Sequence, residues 1–272
     1  MDPASDGTLR VMTLNIWNYN EPWTRRRDLI AEAVQQVQPH VIGFQEIRHD
    51  GKRDDGGKNQ AEQLAEGLPG YRYLVQPAQR NPEHDQWEGL AIFSRLPILS
   101  SSHLELSRDP QDSQDNHQRI VLQAGIQTSG GPFSFCATHL SLSDRGRRRT
   151  VREVARFVKR PSSGLPGVVV GDFNATPAEE SVTYLTTEGE LIDAWSAANG
   201  SAPGITFDGA NPYTGSDESG RRIDYIFLSQ AGAGRLTACW RVADQPAADG
   251  HMPSDHFGLA ADILLEERPE GQ

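Results

Sequence analysis

The stretch VVVGDFNATP carries the sharpest chemical signal in the chain. Val168, Val169 and Val170 make a short apolar strand, Gly171 permits close backbone approach, and Asp172 and Asn174 follow. Residues two apart in an extended chain point the same way, so a carboxylate and an amide would reach one spot. The same pair also suits an Asx turn that does no more than end a strand. Related patterns recur. Asn15 stands near the end of the otherwise apolar segment Leu9–Trp17, and Glu46 near the end of VIGFQEI. Asp255 and His256 stand just before a closing strand in PSDHFGLAADI. A carboxylate in a buried strand is costly unless something pairs with it. Singly, these residues read as a bonded core amide, a salt-bridged glutamate and a turn. Together they offer oxygen ligands without a Cys/His cluster, which suits Mg²⁺ or Mn²⁺ rather than structural zinc.

Two further segments add acid–base chemistry. Asp224 lies in RRIDYIFLS among Ile, Tyr and Phe, and His139 ends the strand-like CATHL. A buried aspartate and a histidine make an oriented imidazole, as in a hydrolytic triad; a lone histidine would read as core. Arg145, Arg147, Arg148, Arg149 and Arg152 follow His139. Cations at a helix start work against its dipole by ~0.3–1 kcal/mol each. That cost points either to substrate phosphate held by Arg147 and Arg148, or to pairing with nearby acids. Trp17, Tyr19 and Trp23 sit in NIWNYNEPW. They would stack on a base, hold a cationic head group, or pin the loop; Trp17 is the candidate for substrate contact.

Positioning these groups requires many strands. Strand patterns fall at 9–17, 41–46, 71–75, 89–93, 98–106, 119–126, 133–138, 168–171, 222–228, 236–242 and 258–265. Helical spacing of apolar residues covers 26–38, 60–68, 147–159 and a stretch near 179–186. No repeat or linker divides the chain, so one domain is expected over 1–272, with an ordered core at about 8–266. Strand groups separated by helices suggest two packed sheets flanked by helices. The loop 204–220, rich in Gly, Asp and Asn, is long enough to be functional or mobile.

Composition narrows the partners. The 272 residues carry 26 Lys and Arg against 37 Asp and Glu, a net charge of −11. That balance opposes non-specific grip on nucleic acid, so duplex DNA is not the expected partner. No apolar run is long enough for a transmembrane helix. Residues 1–7 show no leader pattern, which reads as cytoplasmic and leaves secretion open if a leader was removed. Cys136 and Cys239, in apolar surroundings, read as buried thiols. Oligomeric state has no signature.

Asn15 in TLNIW, Glu46 in GFQEI, His139 in ATHL, Asp172 and Asn174 in GDFN, Asp224 in RRIDYI, and Asp255 and His256 in SDH occur in that order. This ordered set resembles the endonuclease/exonuclease/phosphatase superfamily, which includes deoxyribonuclease I-like nucleases, apurinic endonucleases, neutral sphingomyelinases and inositol polyphosphate 5-phosphatases. It covers nearly the whole chain. The resemblance implies a four-layered α/β sandwich of two mostly antiparallel sheets, and phosphate-ester hydrolysis by in-line attack of water. It implies Glu46 as the principal Mg²⁺ ligand with Asn15 and Asp255 nearby, and His256 paired with Asp224. Asp172 and Asn174 would position nucleophile and phosphoryl oxygens, and His139 would donate to a phosphoryl oxygen or leaving group. The base stays open between Asp172 and His256. The expected activity is a phosphodiesterase on a small or lipid-derived substrate. The alternatives are a nuclease and, in another class, an inactive binding module on the same fold.

Overall fold

In the computed structural model, residues 7–159, 167–230 and 235–265 are described. Residue 266 of the expected core lies outside them. Two six-stranded sheets form the centre. The first holds β1 (Thr8–Asn15), β2 (Val41–Asp50), β3 (Arg72–Asn81), β4 (Gln86–Ser94), β11 (Leu236–Val242) and β12 (Gly258–Leu264) in the order β11-β12-β1-β2-β4-β3. The second holds β5 (Ile98–Glu105), β6 (Ile120–Thr128), β7 (Gly131–His139), β8 (Gly167–Asp172), β9 (Ile192–Asp193) and β10 (Asp224–Leu228) in the order β5-β6-β7-β8-β10-β9. Only β1–β2 and β7–β8 pair in parallel among the described strands.

The apolar sequence dictates the layering. Both faces of the central strands are covered, so their side chains alternate between two cores rather than between core and water. Val168 and Val170 join Leu9, Val11, Val41 and Phe135 between the sheets. Val169 points the other way, into a cluster with Val151 and Val154 of α3 (Asp144–Val158) and Val182 of α4 (Glu180–Thr186). Met12, Leu14 and Phe44 likewise pack outward against Ile30 and Val34 of α1 (Trp23–Val37) and Leu64 of α2 (Gln60–Gly67). The result is the expected helix–sheet–sheet–helix sandwich.

Element ends differ from the sequence reading for local reasons. The helix expected from Arg147 starts at Asp144, because Ser143 Oγ accepts the Gly146 amide and caps it. A short helix, α5 (Ala194–Asn199), was not anticipated; the Asp193 side chain caps it. β3 and β4 outrun their expected spans because they continue as a largely polar hairpin, where hydrophobic alternation fades. Cys136 and Cys239 are buried and free. No helix among the described residues is long and apolar enough to cross a membrane.

Candidate active site

The ends of β1, β7 and β8, the start of β10 and a break in β2 meet at one end of the sandwich. The break matters most. β2 loses register with β4 between Phe44 and Ile47, and Glu46 sits there in the left-handed region with φ 59°. A bulge of this kind re-aims a side chain that regular pleating would direct elsewhere. It turns Glu46 into a cavity of about 540 Å³. Its walls also carry Asp172, Asn174, His139, Asp255 and His256. Gly171 makes the approach of β8 feasible: at φ 146°, an added Cβ would stand 1.9 Å from the Thr138 carbonyl oxygen.

Hydrogen bonds fix the orientation of each group. His256 Nδ1 lies 2.9 Å from Asp224 Oδ2, leaving its Nε2 3.8 Å from Asp172 Oδ2. His139 Nε2 approaches the same Asp172 oxygen at 3.4 Å. Arg119 Nη1 lies 3.0 Å from His139 Nδ1, which makes that nitrogen the acceptor and puts the ring proton on Nε2. Asn15 bridges two acids, donating through Nδ2 to Glu46 Oε1 and Asp172 Oδ2, both at 3.1 Å. The other Glu46 oxygen accepts from Asn18 at 2.9 Å. Asn174 donates its backbone N–H to Asp172 Oδ1 at 2.8 Å.

Burial and mutual repulsion set the charges. Burial, with the nearby Asp224 charge, pushes the Asp172 carboxyl up to about 7. Burial also raises Asp255, to about 6, with Glu46 adding to the effect and His256 opposing it. Glu46 is raised by burial and by Glu88. His139 is held well below the usual histidine range by burial and by Arg119, so its ring is neutral. Burial opposes charge on His256, but Asp224, Asp255 and Asp172 outweigh it and raise it well above that range. The site thus holds an imidazolium, a neutral imidazole and a carboxylate that titrates near neutrality.

The acids fit a hard divalent cation. Among the described residues, donor atoms of Asp172, Asp224 and His256 lie within 4.8 Å of one another, and Asp224 Oδ1 is buried without a hydrogen-bond partner. Glu46 and Asp255 form a second acidic face, with carboxyls raised in part by their neighbours' charge. Bringing a cation close would relieve that repulsion. The sign for stability follows. Asp172 and Asp255 titrate higher in the fold than in an unfolded chain, so their contribution is full below the ordinary carboxylate range and is lost as pH rises through about 6 and about 7. Mg²⁺ should therefore raise Tm little near pH ~5 and progressively more toward pH ~7.5, because ligands bind metal deprotonated. Differential scanning calorimetry across that range checks this; a Mg²⁺ shift independent of pH would contradict it.

Not every expected residue reaches the cavity. Asn15 and Asp224 are not among its lining residues: Asn15 is bonded to Glu46 and Asp172, and Asp224 to His256. The Asn15 Nδ2 hydrogens both go to Glu46 and Asp172, and its Oδ1 accepts the Trp17 backbone N–H at 2.9 Å, which leaves that oxygen one lone pair. Arg147 does line the cavity, held by the Leu142 carbonyl and Glu179 at 2.7 Å each. Arg148 does not: it is a surface residue paired with Asp144 and Glu180, one helical position too far round. Trp17 also stays off the wall, stacked on Tyr213 at 5.0 Å and covered by the Arg26 guanidinium at 5.0 Å, so it pins its loop. The Gly204–Gly220 loop contributes Phe207 and Glu218 to the cavity, and Arg221, just after it, adds a guanidinium. Phe207 bridges to His256, and Thr206 receives the Phe257 N–H.

Sequence reasoning missed Glu88, His117, Arg119 and Arg221. They come from β4, from the loop just before β6 and from the segment before β10, where nothing in their local spacing marks them. It also missed Arg26, which is 0% exposed. Its guanidinium donates to the carbonyls of Ile16, Asn18, Asn20 and Pro253, tying the Asn18 loop to the segment before Asp255. Arg26→Ala would strand those carbonyls and should destabilise the fold by ~3–5 kcal/mol. Urea denaturation measures this; a loss below about 1 kcal/mol would remove Arg26 from the account.

The profile of the Endonuclease/Exonuclease/phosphatase family matches residues 12–256, which takes in every motif above. The chain belongs to that family. Rat (Rattus norvegicus) Nocturnin is 26% identical over 273 residues, covering 91% of this chain and 60% of its own length. The chain thus spans about three-fifths of that relative. "Uncharacterized protein YbhP" of Escherichia coli strain K12 is 25% identical over 279 residues, covering 97% of this chain and 99% of its own. The structure of the human Nocturnin catalytic domain with bound sulfate anion superposes with a TM-score of 0.70 at 23% identity, covering 96% of this chain and 95% of that one. Members of this family are hydrolases, and the sandwich described here is their shared fold.

Proposed function

We propose that the protein is a divalent-metal-dependent hydrolase of phosphate esters acting on a small substrate, a phosphodiester in first place. The observation that carries this reading is Asp172. Its carboxylate lies between the Nε2 atoms of His139 and His256 and is steadied by Asn15 and Asn174. A carboxyl titrating at about 7 in such a place suits a general base for water at neutral pH. His256, held as imidazolium by Asp224, is then the partner for charge that grows on the phosphoryl oxygens, and not the base. His139 presents Nε2–H as a neutral donor to the same group. Preorganised donors of this sort stabilise a transition state without reorganising. Glu46 and Asp255 would hold Mg²⁺ or Mn²⁺, which supplies Lewis-acid stabilisation of phosphoryl and leaving oxygens when bound.

Unspent guanidinium donors support an anionic substrate of limited size. Arg119, Arg147 and Arg221 line the cavity, and the Nε atom of each is buried without a partner. Each is paired with a glutamate of the same wall, Arg119 with Glu88 at 3.7 Å, Arg147 with Glu179 at 2.7 Å and Arg221 with Glu218 at 3.0 Å, so they serve an anion through their remaining N–H groups rather than as a net positive charge. Outside the cavity the Arg cluster of α3 is largely neutralised by Asp109, Asp115, Asp144 and Glu180, so among the described residues this helix offers no basic track to a long polyanion. The sulfate in the Nocturnin structure is a tetrahedral dianion like a phosphoryl group. A lipid-derived ester remains within the reading, and a nuclease is the alternative. A panel of bis(p-nitrophenyl) phosphate, p-nitrophenyl phosphate, sphingomyelin and duplex DNA, each with Mg²⁺ or Mn²⁺, tests it. Fastest turnover on the small diester is the expected result; selective turnover of DNA would move the protein to the nuclease class.

A further inference from the structure

Asp224 and His256 meet at the site from separate parts of the fold. Asp224 opens β10 in one sheet, and His256 stands just before β12 in the other, so no strand ladder sets the distance between them. Thr206, fully buried in the loop 204–220, spans that gap. Its Oγ1 accepts the backbone N–H groups of Ile223 and Asp224, both at 3.1 Å. Its carbonyl oxygen accepts the N–H of Phe257, next to His256, at 2.7 Å. One residue thus holds the aspartate's backbone through its side chain and the histidine's segment through its main chain.

A hydroxyl has a specific use at this point. β9 pairs with Phe227 and Leu228, further along β10. Ahead of that pairing the opening N–H groups of the strand need another acceptor, and a threonine hydroxyl offers two lone pairs. Thr206 is itself anchored. Its N–H donates to the Arg221 carbonyl at 2.9 Å, and Phe207 exchanges backbone hydrogen bonds with Arg221 at 3.0 and 2.8 Å. The Phe207 ring lies against the His256 imidazole, with centroids 4.9 Å apart. The Asp224 carboxylate, by contrast, is steered by little else. Its Oδ2 lies 2.9 Å from His256 Nδ1, while its Oδ1 is buried without a hydrogen-bond partner. The direction of that carboxylate therefore follows from where its backbone is held.

Resting on the hydrolase reading of this site, we infer that Thr206 is a positioning residue for the reaction: its Oγ1 sets the line of the Asp224 carboxylate on His256 Nδ1, and through it the aim of His256 Nε2 at the phosphoryl group. Thr206 is walled off from the cavity, so it acts on turnover and not on substrate binding. The loop 204–220 is thereby part of the scaffold that aims the imidazole.

Thr206→Val keeps the shape of the side chain and removes the acceptor. It should lower kcat for bis(p-nitrophenyl) phosphate by about tenfold or more, the scale on which displaced catalytic geometry acts, with little change in KM. Thr206→Ser restores the acceptor and should recover most of that loss, which a role confined to packing would not allow. In a His256→Ala background Thr206→Val should cost nothing further, because no imidazole is left to aim. Thr206→Ala decides the matter if the valine variant does not fold: it gives the two N–H groups room for water and should show a smaller loss in the same direction. NMR of the metal-free protein repeats the comparison without turnover. The downfield resonance of the proton between His256 Nδ1 and Asp224 should persist in Thr206→Ser and shift or vanish in Thr206→Val. That pattern in a protein that hydrolyses no phosphate ester would sink the hydrolase reading and keep the positioning. Wild-type kcat in a folded Thr206→Val or in Thr206→Ala would overturn the inference. So would a serine variant no better than valine, an equal loss in the His256→Ala background, or an unchanged resonance in Thr206→Val.

Discussion

Asp172→Asn should lower kcat by about 10²–10⁴-fold, the usual worth of a positioned acid–base group, with a smaller change in KM. The amide keeps the size of the side chain but removes the proton acceptor between His139 and His256. The pH profile separates this role from a structural one. In the wild type, activity should rise with pH as Asp172 deprotonates, because only the carboxylate accepts a proton from water. Its carboxyl titrates at about 7 in the metal-free protein, and a bound cation would move that limb lower. In Asp172→Asn the limb should vanish. His256→Ala should also lower kcat strongly but keep the limb, since its imidazolium stays charged across the same range. A wild-type-like rate in Asp172→Asn would remove it as base.

Glu46→Gln should act on the metal instead. The glutamine retains shape and can still accept one of the two hydrogen bonds from Asn15 and Asn18, but removes the negative charge. The Mg²⁺ concentration for half-maximal activity should rise by at least about tenfold, a loss of roughly 1.4 kcal/mol in binding. Activity should recover substantially at saturating metal. Asp224→Asn distinguishes the two acidic faces: it should leave Mg²⁺ affinity closer to wild type and lower turnover through His256. If Asp224→Asn shifts the metal titration while Glu46→Gln does not, the cation belongs with Asp172, Asp224 and His256 instead.

Much of this site could be read from the chain because the chemistry-bearing residues end apolar strands. A carboxylate after Val168–Val170 or among Ile, Tyr and Phe is conspicuous, and strand ends are where a sandwich gathers such groups. The doubly covered sheets and the inner and outer helix faces followed from the same apolar runs. What escaped depends on contacts between distant segments. Arg147 and Arg148 are adjacent in sequence, yet one helical step sends the first into the cavity and the second to Asp144 and Glu180. Trp17 gave no sign that Arg26 and Tyr213 would both pack on its ring. Asn15 carried a ligand's chemistry, but nothing in its own segment showed that its Nδ2 would bridge Glu46 to Asp172. The bulge at Glu46 leaves no mark on its own sequence, although it is what turns that side chain to the site.

The most direct measurement is hydrolysis of bis(p-nitrophenyl) phosphate by protein stripped with excess chelator, dialysed, and then titrated with Mg²⁺. The account predicts loss of turnover on stripping, recovery with added Mg²⁺, and no recovery to the wild-type rate in Asp172→Asn at any metal concentration. Full turnover by the metal-free protein would contradict it.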